Sequence, residues 1–225
     1  MFDIPFLVDR LEKEVVALEQ RPIETGKIIF YGDSGFTRWG ASHKMRPLEE
    51  EIRMKNGDSA VLNHGIGGCT AEELLYYYPR LVKAWKPSAL VSMAFCNDRD
   101  YAYSPEEMLH LQARMFDYAR RDLPGIRFFL CDVRPITKDY GDTGWRAFKS
   151  NVLKYNELVR IYCESHEDCT LVKHIDSPLF FENPADVGDY DKVRRDIFVE
   201  DEVHFNQKGY DLYGTFFRDV LRDLL

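Results

Sequence analysis

Five short apolar runs, rich in strand-forming residues, alternate along this chain with segments of helical periodicity. The runs lie at residues 27–31, 60–62, 89–95, 126–132 and 171–175. Strands that are apolar on both faces and separated by helices are typical of a parallel sheet covered by helices on both sides. The pattern therefore predicts an α/β fold with a central parallel sheet of about five strands. Ligands of such sheets bind beyond the carboxyl ends of the strands, so we expect the functional residues there.

Local signals place helices between these runs. Thr70 with Glu73, and Ser104 with Glu107, have the spacing of a capping box, and Pro105 suits a first helical position. Further helices are expected at about residues 6–20, at residues 145–165 and from residue 206 onward. These segments supply the helical layers that the apolar strands need.

Composition excludes several classes of protein. The 225 residues are 45% hydrophobic, enough for one large core, and contain no apolar stretch of the roughly 18 residues that spans a membrane. The net charge of −8 argues against nucleic acid and anionic membranes as partners. The start lacks a signal-peptide pattern, and the five cysteines are interpreted as free thiols. We expect one soluble cytoplasmic domain over residues 1–225, in which residues 1–24 form an N-terminal helical extension. The sequence leaves open whether the protein forms a homo-oligomer.

Three of the predicted strands end in polar motifs. The first runs into Gly-Asp-Ser-Gly at residues 32–35, which is either an ordinary turn or a turn that exposes Ser34 as a nucleophile. The second ends in the glycine-rich residues 63–70. These could donate N–H groups to an anion, bind a phosphate, or form only a tight connection between strand and helix. The phosphate interpretation is weaker because the lysine of a P-loop is missing. The third strand leads to Asn97, whose amide can donate to a ligand or complete a turn.

A carboxylate and an imidazole stand three positions apart near the C-terminus. Asp201 and His204 precede the last predicted helix, and His204 alone among six histidines has this spacing at a loop-to-helix junction. The carboxylate can fix the tautomer and orientation of the imidazole. A lone histidine is more often structural, so the prediction of a catalytic pair depends on the spacing and the location.

In combination, the four motifs resemble those of the SGNH hydrolases, also called the GDSL esterase and lipase family. They read FYGDSGFTRW at residues 30–39, NHGIGGCT at 63–70, CND at 96–98 and DEVHFNQKGY at 201–210. The resemblance extends in the family's order over nearly the whole chain, and it implies a flavodoxin-like three-layer α/β/α sandwich. Gly35 and Phe95 depart from the family pattern, which usually has Leu or Ile at the first place and Gly at the second.

The resemblance implies a role for each motif. Ser34 would be the nucleophile, His204 its general base, and Asp201 the residue that orients His204. The oxyanion hole would take backbone N–H groups from Ser34 and Gly68 and a side-chain N–H from Asn97. No metal or cofactor is expected.

The expected reaction is hydrolysis of a small soluble acyl ester, with an O-acetylated carbohydrate as the first substrate to test. A lysophospholipase or thioesterase of the same family is one alternative. A non-catalytic carbohydrate-binding or scaffold protein of the same fold is another. Nucleotide binding through the glycine-rich residues 65–70 is a third.

Residues that flank the motifs are candidates for contacting the substrate: Asp33, Arg38, Trp39, Asp98 and Arg134. Trp39 could stack on a sugar, although the commoner role of a tryptophan beside a sheet is core packing. Arg38 could hold an anionic group of the substrate, or could only pair with nearby Asp98 or Asp100.

Two further segments have alternative interpretations. Cys163, His166, Cys169 and His174 have a spacing that hints at a metal site, but they join a helix end to a strand, and a structural role is favoured. The charged residues 186–200 are interpreted first as a solvated loop and second as a flap over the pocket.

Overall fold

A five-stranded parallel sheet forms the centre of the protein, whose computed structural model describes residues 10–225. The strands are β1 (Ile28–Gly32), β2 (Val61–Gly65), β3 (Ala89–Met93), β4 (Arg127–Cys131) and β5 (Cys169–Val172). Their order is β2-β1-β3-β4-β5, and every neighbouring pair is parallel. The predicted α/β fold with a central parallel sheet is confirmed.

Helices lie on both faces of this sheet. They are α1 (Glu12–Glu19), α2 (Ser34–Thr37), α3 (Leu48–Glu51), α4 (Ala71–Leu81), α5 (Cys96–Asp100), α6 (Pro105–Asp122), α7 (Gly141–Glu164) and α8 (Gln207–Val220). Alternate side chains of β1 enter two separate cores: Ile29 and Tyr31 pack with α1, α4, α6 and α7, whereas Ile28 and Phe30 pack with α2, α3 and α8. This alternation follows from the two-residue period of a strand and produces three layers.

The predicted starts of α4, α6 and α8 agree with the structure. The side chains of Thr70 and Ser104 accept from the third residue of α4 and of α6, and both capping boxes are complete. Asn206 caps α8 by accepting from the Gly209 N–H at 3.0 Å. The long helix starts at Gly141, four residues before the predicted start. Residues 6–9 of the first predicted helix lie outside the described residues.

The last strand ends earlier than the sequence predicts. β5 stops at Val172, whereas the apolar run continues to Ile175. The reason lies in the next residues, because the backbone N–H of His174 donates to the Asp132 carboxylate at 2.8 Å. A polar side chain of the neighbouring segment thus replaces the ladder partner.

The charged segment at residues 186–200 is not a simple solvated loop. Tyr190, Ile197 and Phe198 are buried within it. The Tyr190 hydroxyl donates to the Val133 carbonyl at 2.9 Å, which fastens the segment to the loop after β4. Apolar residues spaced along a charged sequence therefore anchor it to the core.

The cysteine and histidine pattern near β5 does not form a metal site. All five cysteines are free, and the sulfurs of Cys163 and Cys169 lie 3.4 Å apart. His166 Nδ1 lies 2.8 Å from the Tyr162 carbonyl, and His174 points into the core. Within the described part of the chain, no three His, Cys, Asp or Glu side chains are placed to hold one metal ion. In the same range no helix has the length and apolar character to cross a membrane.

A buried histidine ties β4, β5 and α8 together. His174 is fully buried, with Nδ1 2.7 Å from Asp132 Oδ1 and Nε2 2.8 Å from the Tyr213 hydroxyl. The two ring nitrogens thus face a carboxylate on one side and a hydroxyl on the other. The network joins the segments that follow two strands to the helix that covers them.

Replacing His174 with leucine should destabilise the protein, because it leaves the buried Asp132 carboxylate and Tyr213 hydroxyl short of a partner. We expect a loss of about 2–3 kcal/mol in the free energy of unfolding, measured by urea denaturation. His110→Leu is the matched control, since His110 is exposed on α6. Equal unfolding free energies for the two variants would contradict the structural role of His174.

Candidate active site

Three of the sequence motifs meet where the strand order reverses. Ser34, Gly68 and Asn97 follow the carboxyl ends of β1, β2 and β3, and the reversal falls between β1 and β3. Parallel sheets of this topology bind ligands at that point. The glycine at the end of β1 is required there, because a Cβ on Gly32 would lie 2.5 Å from the Met93 carbonyl oxygen.

The first residue of α2 is Ser34, and Asp33 caps this short helix. The Asp33 carboxylate accepts from the Gly35 N–H at 2.8 Å, while burial raises the pKa of Asp33. The N–H of Ser34 itself has no hydrogen-bond acceptor among residues 10–225. The turn therefore presents both a hydroxyl and a free backbone donor.

A line of hydrogen bonds connects Ser34 to the loop before α8. Ser34 Oγ lies 2.8 Å from His204 Nε2, and His204 Nδ1 lies 2.7 Å from Asp201 Oδ2. The other carboxylate oxygen of Asp201 accepts the backbone N–H groups of His204 at 2.8 Å and of Val203 at 3.0 Å. Asp201 thus fixes both the imidazole and the loop that carries it.

The loop after β4 holds the His204 loop in place. Arg134 Nη2 donates to the Val203 carbonyl at 2.8 Å, and the Thr137 N–H donates to the Glu202 carbonyl at 2.9 Å. The guanidinium of Arg134 also lies over the Phe205 ring, 4.5 Å from its centroid. These contacts set the position of the imidazole without touching it.

Burial and charge keep His204 neutral. Burial lowers its pKa to about 4, the cations Arg134 and Arg38 add to the decrease, and the hydrogen bond to Asp201 opposes it. For Asp201, burial favours the neutral acid, but the hydrogen bonds from His204 and Val203 outweigh it and lower the pKa to about 2. At neutral pH the line therefore consists of a hydroxyl, a neutral imidazole and a carboxylate.

Gly68 lies on the loop after β2, and Asn97 lies at the start of the neighbouring helix α5. Gly68 has φ +76°, a conformation that favours glycine, and its N–H has no acceptor within the described residues. Asn97 Nδ2 donates to the Cys69 carbonyl at 2.9 Å, which ties α5 to the loop that carries Gly68. The side-chain amide has a second N–H that this contact does not use.

The interpretation of residues 65–70 as a phosphate loop does not agree with the structure. The N–H groups at the start of α4 already have acidic side chains as acceptors: Thr70 donates to Glu73 at 2.9 Å, and Ala71 donates to Asp98 at 2.6 Å. The chain's own acidic residues thus occupy the place that an anionic ligand would take.

Two residues considered as possible substrate contacts are buried instead, which for Trp39 is the core-packing alternative. Trp39 is fully buried and stacks on Tyr210 and Tyr213 at centroid distances of 5.3 and 5.1 Å, so it packs in the core. Asp98 is also fully buried, and it accepts from the first turn of α4. Burial raises the pKa of Asp98 to about 8, which favours its neutral form.

The other three candidates lie around the Ser34–His204 pair. Arg38 Nη1 lies 3.0 Å from Asp201 Oδ2, so this arginine pairs with Asp201 and not with the predicted Asp98 or Asp100. Asp33 and Arg134 are only 7% and 8% exposed. Both line a cavity of about 10 Å³ together with Phe95 and Cys96. A space of this size holds about one water molecule.

Sequence reasoning missed one residue at this site. Arg10 donates to the Gly68 carbonyl at 2.7 Å, although the two are 58 positions apart. A single arginine ahead of an amphipathic helix belongs to no motif, so only the fold reveals this contact.

One family model matches most of this chain. The model of the GDSL-like lipase/acylhydrolase family matches residues 30–212. A proposed acylhydrolase from Bacteroides fragilis NCTC 9343 has a similar structure at 17% identity and TM-score 0.72, covering 96% of this chain and 98% of that chain. A GDSL-like lipase from Bacteroides thetaiotaomicron VPI-5482 is also similar in structure, at 19% identity and TM-score 0.69, covering 97% of this chain and 98% of that chain.

The acetyl xylan esterase AlAXEase is similar in structure as well, at 16% identity and TM-score 0.65, covering 87% of this chain and 99% of that chain. A comparison with curated proteins gives no match. At these identities the solved structures establish a common fold.

His204 should gain its proton near pH 4, well below the ordinary value of about 6.5 for histidine, and NMR titration of labelled histidine measures this directly. Since the folded-state pKa lies below the unfolded one, protonation of His204 should cost stability as the pH falls from about 6.5 to about 4. His204→Gln assigns the resonance. A titration midpoint near 6.5 would contradict the effect of burial and of the two arginines.

Proposed function

The chain belongs to the GDSL-like lipase/acylhydrolase family, and on this basis we propose that it is a serine esterase that forms an acyl-enzyme on Ser34. One observation carries the proposal: the hydrogen-bonded line from Ser34 through His204 to Asp201. A serine hydroxyl is a poor nucleophile near neutral pH and needs an adjacent base. His204 Nε2 lies at the distance required of that base.

In the first step Ser34 Oγ attacks the acyl carbon while its proton passes to His204 Nε2. The imidazolium that forms is stabilised by Asp201. The same proton then passes to the departing alcohol oxygen, and the bond between the acyl carbon and that oxygen breaks. In the second step water attacks the acyl-enzyme, His204 takes the water proton, and its return to Ser34 Oγ releases the acid.

Each attack places a negative charge on the acyl oxygen. The backbone N–H groups of Ser34 and Gly68, which have no acceptor among residues 10–225, are the donors we propose for it, together with the amide N–H of Asn97 that Cys69 does not use. Fixed donors of this kind cost little reorganisation at the moment of reaction, and losing one typically lowers the rate by about 10²–10³-fold.

We propose a small acyl group for the substrate. The cavity lined by Asp33 and Cys96 measures about 10 Å³, the space of about one water molecule, and this supports a methyl group over a fatty acyl chain. Phe95 closes one side of it, and its ring packs against Phe148 and Tyr155 at 5.9 and 5.2 Å. The fold likeness to an acetyl xylan esterase favours an O-acetylated carbohydrate as the substrate class. The proposed reaction needs no cofactor, nucleic acid or membrane.

Replacing Ser34 with alanine should lower kcat on an acetyl ester by at least about 10⁴-fold, since the nucleophile is lost. It should also abolish labelling by a fluorophosphonate, which mass spectrometry should otherwise locate on Ser34. Ser42→Ala, at an exposed serine in the same segment, is the control for folding and labelling. Wild-type turnover by the Ser34 variant, or an adduct elsewhere, would refute the acyl-enzyme.

The acyl preference can be measured with acetate, butyrate and octanoate esters of one alcohol. We expect kcat/KM to be highest for acetate and to fall by about tenfold or more at octanoate, because the cavity cannot take the longer chain. Phe95→Leu should reduce this discrimination, whereas Phe116→Leu, in the same core but packed on Phe128, should not. Equal kcat/KM for acetate and octanoate would show that the small-acyl assignment is wrong.

A further inference from the structure

Arg10 contacts the loop that carries Gly68, although Arg10 itself lies outside residues 30–212, which the family model matches. Its Nη2 lies 2.7 Å from the Gly68 carbonyl oxygen and 2.5 Å from Glu73 Oε2. Its guanidinium carbon also lies 5.3 Å from the centroid of the Tyr101 ring. One side chain thus contacts the loop that carries Gly68, the helix that follows it, and the residue that ends α5.

The first helix brings Arg10 to this position. Val15 is buried against α4, and Leu11 is nearly so. Arg80 on α4 pairs with Glu12 and Glu19 on α1. The docking of α1 is therefore secured by apolar contact and by ion pairs, and it fixes the backbone immediately before the helix.

The Gly68 backbone is a place where such a contact matters. A glycine at φ +76° has wide conformational freedom, because no Cβ restricts it. The donor that it contributes to the proposed reaction must nevertheless be aimed before the oxyanion forms. A Cβ added to Gly68 would lie 3.5 Å from Arg10 Nη1, so the guanidinium covers the glycine directly.

We propose that Arg10 is a positioning residue for the oxyanion hole: by holding the Gly68 carbonyl, it aims the Gly68 N–H at the acyl oxygen. This role rests on the proposed esterase function. Charge-assisted hydrogen bonds are shorter and stronger than neutral ones, which suits a guanidinium that restrains a carbonyl. Through Tyr101, which closes the helix carrying Asn97, the same side chain also contacts the segment of the second donor.

The competing explanation is that Arg10 only neutralises Glu73. Glu73 is buried, and its Oε2 is shared by Arg10 and the Thr70 N–H. Loss of Arg10 would then act by leaving a buried carboxylate without its cation. The two explanations differ in whether removing the Glu73 charge repairs the defect.

The test compares Arg10→Met with Arg21→Met on an acetyl ester. Arg21 is a matched control, because it also donates to a backbone carbonyl, that of Asn63 at 2.8 Å, and pairs with a carboxylate, that of Glu49 at 3.1 Å. We expect Arg10→Met to lower kcat by about tenfold or more with KM changed less than about twofold, since a misplaced donor acts mainly in the transition state. Arg21→Met should leave both constants near wild type. Equal kcat for the two variants overturns the proposal.

Two further variants separate positioning from charge compensation and from loss of fold. Arg10→Lys keeps a cationic donor, so its kcat should lie between those of Arg10→Met and wild type. All variants are assayed at a temperature at which urea denaturation shows them to be folded. The double variant Arg10→Met/Glu73→Gln should stay as slow as Arg10→Met. Full recovery in the double variant shows that Arg10 acts through the Glu73 charge and overturns the positioning role.

The wild-type protein tests the proposed function separately. If it neither turns over an acetyl ester nor takes a fluorophosphonate on Ser34, the esterase function fails, and the Arg10 proposal fails with it. If wild type reacts and Arg10→Met keeps the wild-type kcat, only the positioning role is wrong.

Discussion

The hydrogen bond between Ser34 and His204 joins residues 170 positions apart, and only one of them is placed by the sheet. Ser34 follows β1 directly, but the His204 loop belongs to no strand. Hydrogen bonds to its backbone hold it instead: the Val199 N–H donates to the His204 carbonyl at 2.9 Å, and the Arg134 guanidinium donates to the Val203 carbonyl at 2.8 Å. The geometry of the site therefore depends on how the last segment packs on the loop after β4.

The chain uses its own acidic side chains to cap the helices that begin around the site. Asp33 caps α2, Glu73 caps α4, and Asp98 accepts from the first residue of α4. These contacts consume donors that would otherwise attract a multiply charged anion. The N–H groups of Ser34 and Gly68 lack acceptors in residues 10–225. A site arranged in this way suits a single negative charge that develops during reaction better than a bound phosphate.

Much of the fold and of the site follows from local sequence, and the errors have a common cause. Strand runs, capping boxes and the polar ends of strands depend on neighbours within a few positions, so the sequence predicts them. The sequence left Trp39 open between core packing and stacking on a sugar, because its packing partners, Tyr210 and Tyr213, are about 170 residues away. The same holds for Arg38, which pairs with Asp201, and for Arg10, whose contact with Gly68 no spacing indicates.

Each of the two arginines near His204 has one favourable and one unfavourable effect on the proposed chemistry. Arg134 and Arg38 both lower the pKa of the imidazole, which keeps it free to accept a proton but makes it a weaker base. That disadvantage shrinks as the reaction proceeds, because the negative charge on the acyl oxygen offsets the field of the two cations. Arg38 also shares Asp201 with His204, so one carboxylate orients the base and balances a cation. The arrangement therefore keeps His204 unprotonated at rest. It favours transfer of the proton to His204 at the moment when negative charge develops on the substrate.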